Sequence, residues 1–384
     1  MDYREDRTIS MNDDLKTNST EIDAPLRAPL VTVVIINYNY GNFIAQSIRS
    51  VDEQDYGNIQ CLVVDCGSTD NSLAAIESAL GRARRPFFKL LRRDVNHGQL
   101  GNALAMLDEV SGVFVTYLDS DDLLFPDFVS THVNAHLNDL YSGALSVSDQ
   151  IQMNATGEVL AGTRHWHQKW RAFEPGSAWV DLSQARHWAA HSPDRMQPFA
   201  GRLHYVPAWW SSWLLERWIW SSTSAIMFRR SLIEHLVPST ATVEEMRAQS
   251  IDSYFGRFAH SVGGTLVVDG THGAYRRHGN NNFSNRSVLG GQTPNSVRDQ
   301  TQRFIDLKQM AREVLVTKYD SLIGALGAEL YYSVAWQLMS NRDFLDFAGR
   351  HEKDRLAWER TIKAAAASAG KVECLPDSTG KTSR

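Results

Sequence analysis

Three aspartates in the segment TYLDSDD, Thr116 to Asp122, follow directly on an apolar run that begins at Val113. A β-strand that ends in clustered carboxylates places hard oxygen ligands at the carboxyl edge of a sheet, where a divalent cation and a diphosphate can be bound together. The same letters also fit a turn whose aspartates cap the next helix, because Pro126 and Asp127 open a helical pattern. The segment alone leaves both interpretations open.

From Val31 onward, strand-like runs of apolar residues alternate with segments in which apolar residues recur at helical spacing. This alternation is typical of βαβ units. The runs VTVVII and CLVVD are continuous and rich in β-branched residues, as in strands buried on both faces. Apolar residues recur at helical spacing between the strands, at Ile44, Ile48 and Val51, at Leu73, Ile76 and Leu80, and at Leu100, Leu104 and Leu107. The sequence therefore predicts an α/β fold with a mostly parallel, helix-flanked sheet, right-handed crossovers and ligands beyond the carboxyl ends of the strands.

Polar residues end each of the predicted strands and should therefore meet at one edge of the sheet. The run Asn37, Tyr38 and Asn39 ends the first strand, Asp65 ends the second, and Asp119, Ser120 and Asp121 end the later one. An aromatic ring there can stack on a base, a carboxylate can accept from a base N–H or a ribose hydroxyl, and metal-bound carboxylates can neutralise a diphosphate. Taken singly, Asp65 fits a turn cap equally well, and Tyr38 fits a packing residue.

The segments VTVVIINYNYGNFIAQSIRSV, VVDCGSTDNS and NHGQLGNALAMLDEVSGVFVTYLDSDD together resemble the nucleotide-binding half of the inverting, GT-A-fold glycosyltransferases of the large family 2 type. The resemblance spans about residues 31–140. It implies a Rossmann-like GT-A fold, a nucleoside-diphosphate sugar donor, and a Mg2+ or Mn2+ ion at Asp119 and Asp121. The implied donor-binding residues in this half are Asn37, Tyr38, Asn39, Asp65, Asn96, Gly98, Asp119 and Ser120.

The chain departs from the family pattern at two positions. Ile36 and Asn37 stand where the family usually has Pro-Thr, and Cys66 stands where a second Asp is common. Both departures concern the expected base site and leave the metal motif intact. They bear on the identity of the base more than on activity.

The second half carries further matches to the same family in SSTSAIMFRRSLIEHLVP, SIDSYFGRFAH and LVVDGTHGAYRRHGNN. The resemblance makes Asp252 the candidate general base, which would remove the acceptor hydroxyl's proton as it attacks opposite the leaving diphosphate. Asp252 also fits a simple helix cap, and Glu244 and Glu245 are nearby rivals with a poorer motif match. In the closing motif, His278 is a candidate ligand of the metal or diphosphate, and Arg276 or Arg277 can pair with phosphate oxygens.

Tryptophan is concentrated between the two matched regions, with nine of the eleven residues falling from Trp166 through Trp220. Indole faces suit the apolar face of a sugar ring and also the membrane interface, where lipid-linked acceptors lie. The same tryptophans also fit the aromatic core of an inserted helical subdomain. If these residues line an acceptor groove, the expected ones are Trp209, Trp210 and Trp213.

Composition excludes several other classes of protein. The 384 residues are 43% hydrophobic and 22% charged with a formal net charge of -5, so the chain is globular and gives no electrostatic footprint for nucleic acid. Three cysteines, Cys61, Cys66 and Cys374, form neither a disulfide framework nor a metal-ligand spacing. With no signal-like start and no long apolar run, we expect a cytoplasmic protein, with peripheral association at the inner membrane face left open.

These patterns predict a flexible leader at 1–29, a nucleotide-sugar-binding half at 30–150, an acceptor-side half with the Trp-rich insertion at 151–285, a helical extension at 286–370 and a disordered tail at 371–384. The helical extension could cover the catalytic domain or mediate self-association. The function predicted is that of a metal-dependent inverting glycosyltransferase acting on a glycan, lipid-linked or other glycoconjugate acceptor. An inactive sugar-nucleotide-binding module and a sugar nucleotidyltransferase are the alternatives, whereas a dehydrogenase lacks its GxGxxG motif.

Overall fold

The computed structural model describes residues 26–162, 180–188, 195–208, 220–238, 246–247, 249–279, 281, 297–349, 356 and 359–360. The expected acceptor residues Trp209, Trp210 and Trp213, and the rivals Glu244 and Glu245, lie outside the described residues. The Trp-rich acceptor groove therefore stays a prediction.

The strands are β1 Val31–Asn37, β2 Ile59–Cys66, β3 Phe88–Arg93, β4 Phe114–Asp119, β5 Leu123–Leu124, β6 Leu145–Asn154, β7 Val159–Ala161, β8 Val180–Asp181, β9 Arg186–Trp188, β10 Met196–Pro198, β11 Arg202–Val206, β12 Ile226–Arg229 and β13 Thr265–Arg277. The helices are α1 Ile44–Asp52, α2 Ser72–Leu80, α3 Gly98–Leu104, α4 Phe128–His136, α5 Arg230–His235, α6 Arg257–Gly263, α7 Val297–Thr317, α8 Tyr319–Leu338 and α9 Asn341–Gly349. Short 3-10 turns lie at Leu107–Glu109 and Thr223–Ala225, and a π-helical turn at Asp252–Gly256 precedes α6.

The main sheet is mixed and has the order β3-β2-β1-β4-β12-β6-β13-β11-β8. Its first part, β3-β2-β1-β4, is entirely parallel, as the sequence predicts for β1, β2 and β4. The strand β12 then joins β4 and β6 in antiparallel fashion, and β13 runs parallel to β6. The predicted helix-flanked α/β sheet with C-terminal helices is confirmed, and strands in antiparallel pairs extend it beyond β4.

Both faces of the sheet are covered, which explains why the strands are apolar throughout. Along β1, Val33 and Ile35 pack with α1, α2 and α4, whereas Val34 faces the opposite core. That opposite core also contains Phe258 of α6 and residues of the C-terminal helices, among them Leu307. The helical extension therefore packs on the same core as β1, β2 and β4.

Two strands differ from the sequence-based expectation. The edge strand β3 has no predicted counterpart, because its sequence FKLLRR mixes basic and apolar residues on a half-exposed edge. The strand β13 continues well past the apolar run Thr265 to Val268 and reaches Arg277, with register shifts against β6 on either side of Thr271. This extension brings the RRH motif next to the end of β4.

Among the described residues, the helices are all too short or too polar to cross a membrane.

Candidate active site

The loops after β1 and β2 are tied together by the side chains expected to bind the base. Asn37 and Asp65 lie opposite each other in the parallel register. The Asn37 Nδ2 donates to Asp65 Oδ1 at 2.9 Å and to Ser68 Oγ at 3.1 Å, while the Ser68 backbone N–H donates to Asp65 Oδ2 at 3.2 Å. Asp65 is therefore held as an acceptor by donors on both oxygens, each of which keeps a further lone pair.

Asn37 also contributes an acceptor. It is fully buried, and its Oδ1 has no hydrogen-bond partner within the described part of the chain. Because buried polar atoms are nearly always paired in folded proteins, this oxygen is suited to a ligand donor.

The residues Tyr38 and Asn39 have different surroundings. Asn39 adopts a left-handed backbone conformation with φ of 61°, which asparagine tolerates better than most residues. Its Oδ1 accepts the backbone N–H of Thr69 at 2.7 Å and of Asp70 at 3.3 Å. Tyr38 remains 41% exposed at the same edge. Asn39 thus shapes the loop, and Tyr38 presents a ring that a base could cover.

The three aspartates at the end of β4 point to different partners. Asp119 lies level with Ile36 of β1, and its carboxylate accepts the Gln99 side-chain amide. Asp121 Oδ2 lies 2.9 Å from His278 Nε2. Asp122 is fully buried and accepts Arg276 N–H at 2.9 Å and the Ser224 hydroxyl at 2.8 Å.

The electrostatics of the cluster follow from this crowding. Burial raises the pKa of Asp122 well above its usual value, and the neighbouring charges of Asp121 and Asp119 raise it further. Burial likewise raises the pKa of the Tyr40 hydroxyl, with added contributions from Asp121 and Asp119. Tyr40 therefore stays neutral beside the carboxylates and can donate a proton in a hydrogen bond.

The ring of His278 is held between two aromatic side chains of the loop after β1. Its centroid lies 5.0 Å from that of Phe43 in a stacked arrangement and 5.4 Å from that of Tyr40 edge-on. Its backbone N–H donates to Asn281 Oδ1 at 2.9 Å, and Asn281 in turn donates to the Arg276 carbonyl at 2.8 Å. These contacts direct the imidazole toward Asp121.

Of the expected metal ligands, Asp121 and His278 are brought into direct contact, whereas Asp119 bonds to Gln99. Within the described part of the chain, no group of at least three His, Cys, Asp or Glu side chains is arranged to hold a metal ion. The donor set nevertheless suits Mg2+ or Mn2+, because such ions are often held by one or two protein ligands and completed by substrate phosphates and water.

The two arginines of the closing motif differ sharply. Arg276 is fully buried, with its Nε donating to the Asp121 carbonyl at 2.7 Å and its Nη2 to Gln46 Oε1 at 2.6 Å. Its guanidinium also covers the Phe43 ring at 5.0 Å. Arg277 is partly exposed and donates to Gln152 Oε1 at 3.4 Å. Arg276 thus holds the aspartate loop in place, whereas Arg277 keeps part of its surface exposed.

Asp252 begins the π-helical turn that precedes α6, and it is half-buried. Its Oδ1 accepts the Ser253 N–H at 2.9 Å, so the carboxylate does cap its own turn. The preceding residue, Ile251, donates its backbone N–H to Gln99 Oε1 at 3.1 Å. The residue that precedes Asp252 is therefore linked to Asp119 through the Gln99 side chain. Insertions of this π type are frequent at functional sites.

Asn96 and Gly98 shape the loop that carries Gln99. Asn96 Oδ1 accepts Gly98 N–H and Asn102 Nδ2, each at 2.9 Å. Gly98 has φ of 75°, and a Cβ on it would lie 2.7 Å from the Arg247 backbone. In this arrangement the two residues position the loop, and their predicted contact with the donor stays a prediction.

Several residues of the site were not predicted from the sequence, namely Tyr40, Phe43, Gln99, Asp122, Ser224 and Asn281. Tyr40 and Asp122 adjoin predicted residues and could have been included from the NYNY and DSDD runs. Gln99 and Ser224 carry no local signal, because their partners lie 20 and 102 residues away along the chain.

These features define an α/β protein with an acidic centre at one edge of its sheet. The model of the family described as glycosyl transferase family 2 matches residues 32–186. This match covers less than half of the chain, and it shows that residues 32–186 are similar to this family.

Individual relatives match shorter stretches. An uncharacterized glycosyltransferase of Haemophilus influenzae is 30% identical over 109 residues, covering 28% of this chain and 43% of the relative. The hyaluronan synthase of Pasteurella multocida is 28% identical over 140 residues, covering 36% of this chain and 14% of the relative. The chain thus spans less than half the length of these curated relatives.

Among solved structures, S. aureus TarS 1-349 in complex with UDP-GlcNAc aligns with a TM-score of 0.44 at 13% identity, covering 92% of this chain and 95% of that one. The mannosyltransferase PcManGT of Pyrobaculum calidifontis, in complex with GDP-Man and Mn2+, aligns with a TM-score of 0.37 at 16% identity, covering 91% of this chain and 77% of that one.

Proposed function

We propose that the protein is a metal-dependent, inverting glycosyltransferase that moves a sugar from a nucleoside-diphosphate sugar to a hydroxyl of a glycan or glycoconjugate acceptor. The observation that carries this proposal is the Asp121–His278 contact of 2.9 Å. It joins the end of β4 to the end of β13 beside the Asn37–Asp65 pair. A carboxylate and an imidazole in contact at a sheet edge, within a family 2 domain, are suited to a cation bound by a diphosphate.

The donor would lie along this edge with its base toward Asp65. A carboxylate held by two N–H donors accepts further hydrogen bonds and cannot donate them, so a base with a ring N–H fits better than one with a ring acceptor. The orphaned Asn37 Oδ1 is a second acceptor in the same place. Uracil, thymine and guanine meet this requirement at their pairing edges, and the ring of Tyr38 would stack on them.

The diphosphate would lie between this base site and the Asp119–Asp121 segment. A Mg2+ or Mn2+ ion bound at Asp121 and His278, with Asp119 nearby, would supply positive charge to the departing diphosphate. Arg277 would add a bidentate contact to phosphate oxygens. The neutral Tyr40 hydroxyl, close to the carboxylates, would donate to the same oxygens.

Asp252 would serve as the general base. Inversion requires a carboxylate on the side of the anomeric carbon opposite the leaving group, where it removes the proton of the attacking hydroxyl. Asp252 is half-buried on a helical turn, and the preceding residue, Ile251, is hydrogen-bonded to the Gln99 side chain that also bonds to Asp119, which supports this assignment. For the acceptor, we keep Trp209, Trp210 and Trp213 as the proposed lining residues and a glycan or lipid-linked glycoconjugate as the proposed partner.

The test is a thermal-shift panel of UDP-, GDP-, dTDP- and CDP-linked glucose and N-acetylglucosamine, each with and without Mn2+, followed by a turnover assay. A ligand bound by the native state alone raises its melting temperature. We expect a Mn2+-dependent rise with one base and slow release of that nucleoside diphosphate. No shift with any sugar nucleotide would contradict the proposal.

The same panel separates the two alternatives. A binding module that has lost transfer would give the shift without any turnover. A nucleotidyltransferase would instead form pyrophosphate from a nucleoside triphosphate and a sugar phosphate.

A further inference from the structure

The side chain of Gln99 connects the two halves of the proposed site. Its Nε2 donates to Asp119 Oδ1, and its Oε1 accepts the backbone N–H of Ile251 at 3.1 Å. Asp119 belongs to the donor side, and Ile251 immediately precedes Asp252. One amide therefore bridges the donor side to the turn that carries the proposed base.

Only an amide of this length satisfies both ends. A carboxylate can only accept, and a backbone N–H can only donate, so the bridging group must offer one donor and one acceptor. Glutamate would place a second acceptor against Asp119, lysine would offer no acceptor to Ile251, and methionine would offer no comparable polar group. The first N–H groups of a helical turn also lack partners within the turn, so Gln99 Oε1 satisfies one that would otherwise be unpaired.

The loop carrying Gln99 is itself fixed to the Asp252 segment. The Leu100 N–H donates to the Gln249 carbonyl at 3.4 Å, and Arg247 Nη2 donates to the Asn96 carbonyl at 2.9 Å. The close approach of the Arg247 backbone at Gly98 adds a steric contact at the same place. Gln99 therefore extends from a supported position.

We propose, building on the function proposed above, that Gln99 is a positioning residue that sets the placement of the Asp252 carboxylate relative to the donor through its bridge between Asp119 and Ile251. Without the bridge, the base-bearing turn keeps its packing but loses its fixed placement against the donor side. Misplacement of a reacting group by about 1 Å can cost on the order of 10²-fold in rate.

The variant Gln99→Met keeps the length of the side chain and removes both hydrogen bonds. Its matched control is Gln302→Met, because Gln302 also bonds to an aspartate, Asp306 at 2.8 Å, but lies exposed on α7. We would measure kcat for hydrolysis of the sugar nucleotide selected in the panel, and its Kd by calorimetry with Mn2+. We expect kcat of Gln99→Met to fall at least about tenfold with Kd within about twofold of wild type, and Gln302→Met to match wild type.

A second measurement separates positioning from a general structural role. In an Asp252→Glu background the base is already displaced, so adding Gln99→Met should lower kcat by less than about threefold, because residues that act as one unit are non-additive. An equal loss in both backgrounds would overturn the inference, as would a Gln99→Met enzyme whose kcat lies within about twofold of wild type.

The failure of the underlying function would look different. Wild-type protein that binds no sugar nucleotide and releases no nucleoside diphosphate would overturn both proposals together. Active wild type with an equally active Gln99→Met variant would overturn only the role of Gln99.

Discussion

Replacing Arg276 with Met tests whether the buried arginine stabilises the aspartate loop. Arg276 is fully buried, and its guanidinium donates to backbone or side-chain oxygens of Asp121, Gln46 and Ala155 at 2.7, 2.6 and 3.1 Å. Met fills much of the same volume and leaves these acceptors without their donor. We expect the Arg276→Met variant to lose much of its stability. We expect Arg276 to affect phosphate binding only through this effect on the fold.

The magnitude follows from the contacts. A hydrogen bond to a charged group contributes about 1.5–3 kcal/mol, so three such bonds amount to about 4.5–9 kcal/mol before the cost of burying the guanidinium is subtracted. That cost is real here, because burial lowers the pKa of Arg276 although Asp122 and Asp121 raise it. Removing one partner of a buried charged network typically costs about 3–5 kcal/mol, which is the loss in unfolding free energy that we expect.

The assay is urea unfolding followed by fluorescence, with Arg277→Met as the control. Arg277 is partly exposed, so its replacement should change the unfolding free energy by no more than about 0.5 kcal/mol while weakening donor binding. If Arg276→Met unfolds within about 0.5 kcal/mol of wild type, the structural role of Arg276 is wrong. Arg276 would then again be a candidate for binding the phosphate oxygens of the donor.

Three further predictions concern the site and the core. Asp252→Asn should keep donor binding in the thermal-shift assay and lose about 10²–10⁴-fold in transfer rate, and full turnover would remove Asp252 from the mechanism. Asp121→Ala should abolish the Mn2+-dependent part of the thermal shift, and an unchanged Mn2+ response would move the metal elsewhere. Burial lowers the pKa of His132 well below 6.5. As the pH falls, His132 therefore takes up its proton in the unfolded chain before it does so in the folded protein. The contribution of neutral His132 to the unfolding free energy is present above about pH 6.5 and is lost below it. Between pH 7.5 and 5.5 this linkage amounts to at most about 1.4 kcal/mol. The variant His132→Gln, whose side chain can keep the bonds to Ser146 and Ser148, should lose this pH dependence in urea-unfolding curves. An identical pH dependence in the variant would contradict the assignment.

The sequence alone could predict which residues lie at the carboxyl edge of the sheet, because that prediction depends on the order of strands and helices and not on side-chain contacts. Parallel strands joined by right-handed crossovers end at the same edge, so Asn37, Asp65 and Asp119 were expected at one edge once the strands were recognised. The register places Asn37 opposite Asp65 and Asp119 opposite Ile36. Strong periodicity in β1, β2 and β4 made that recognition secure.

Roles that depend on distant contacts could not be read in the same way. The burial of Arg276 depends on a strand that continues past its apolar run and pairs with β6 through two register shifts. Gln99 bonds to Ile251, which lies 152 positions further along the chain, and in the sequence Gln99 looks like an ordinary polar residue of a helix. A basic pair such as Arg276 and Arg277 gives no sign of which member turns inward.

The long-range contacts explain how three carboxylates can lie within one short turn. Like charges this close repel each other, which is part of why the pKa of Asp122 is raised. Each aspartate has a donor from a different part of the chain: Gln99 of α3 for Asp119, His278 after β13 for Asp121, and Ser224 with the Arg276 N–H for Asp122. Asp122 is fully enclosed by its donors, whereas Asp119 is only half-buried, so the turn has one carboxylate committed to the fold and others directed to the edge. An acidic centre built this way pairs each carboxylate with a donor from the protein and keeps further lone pairs for a cation, which is the property that the proposed metal-dependent transfer requires.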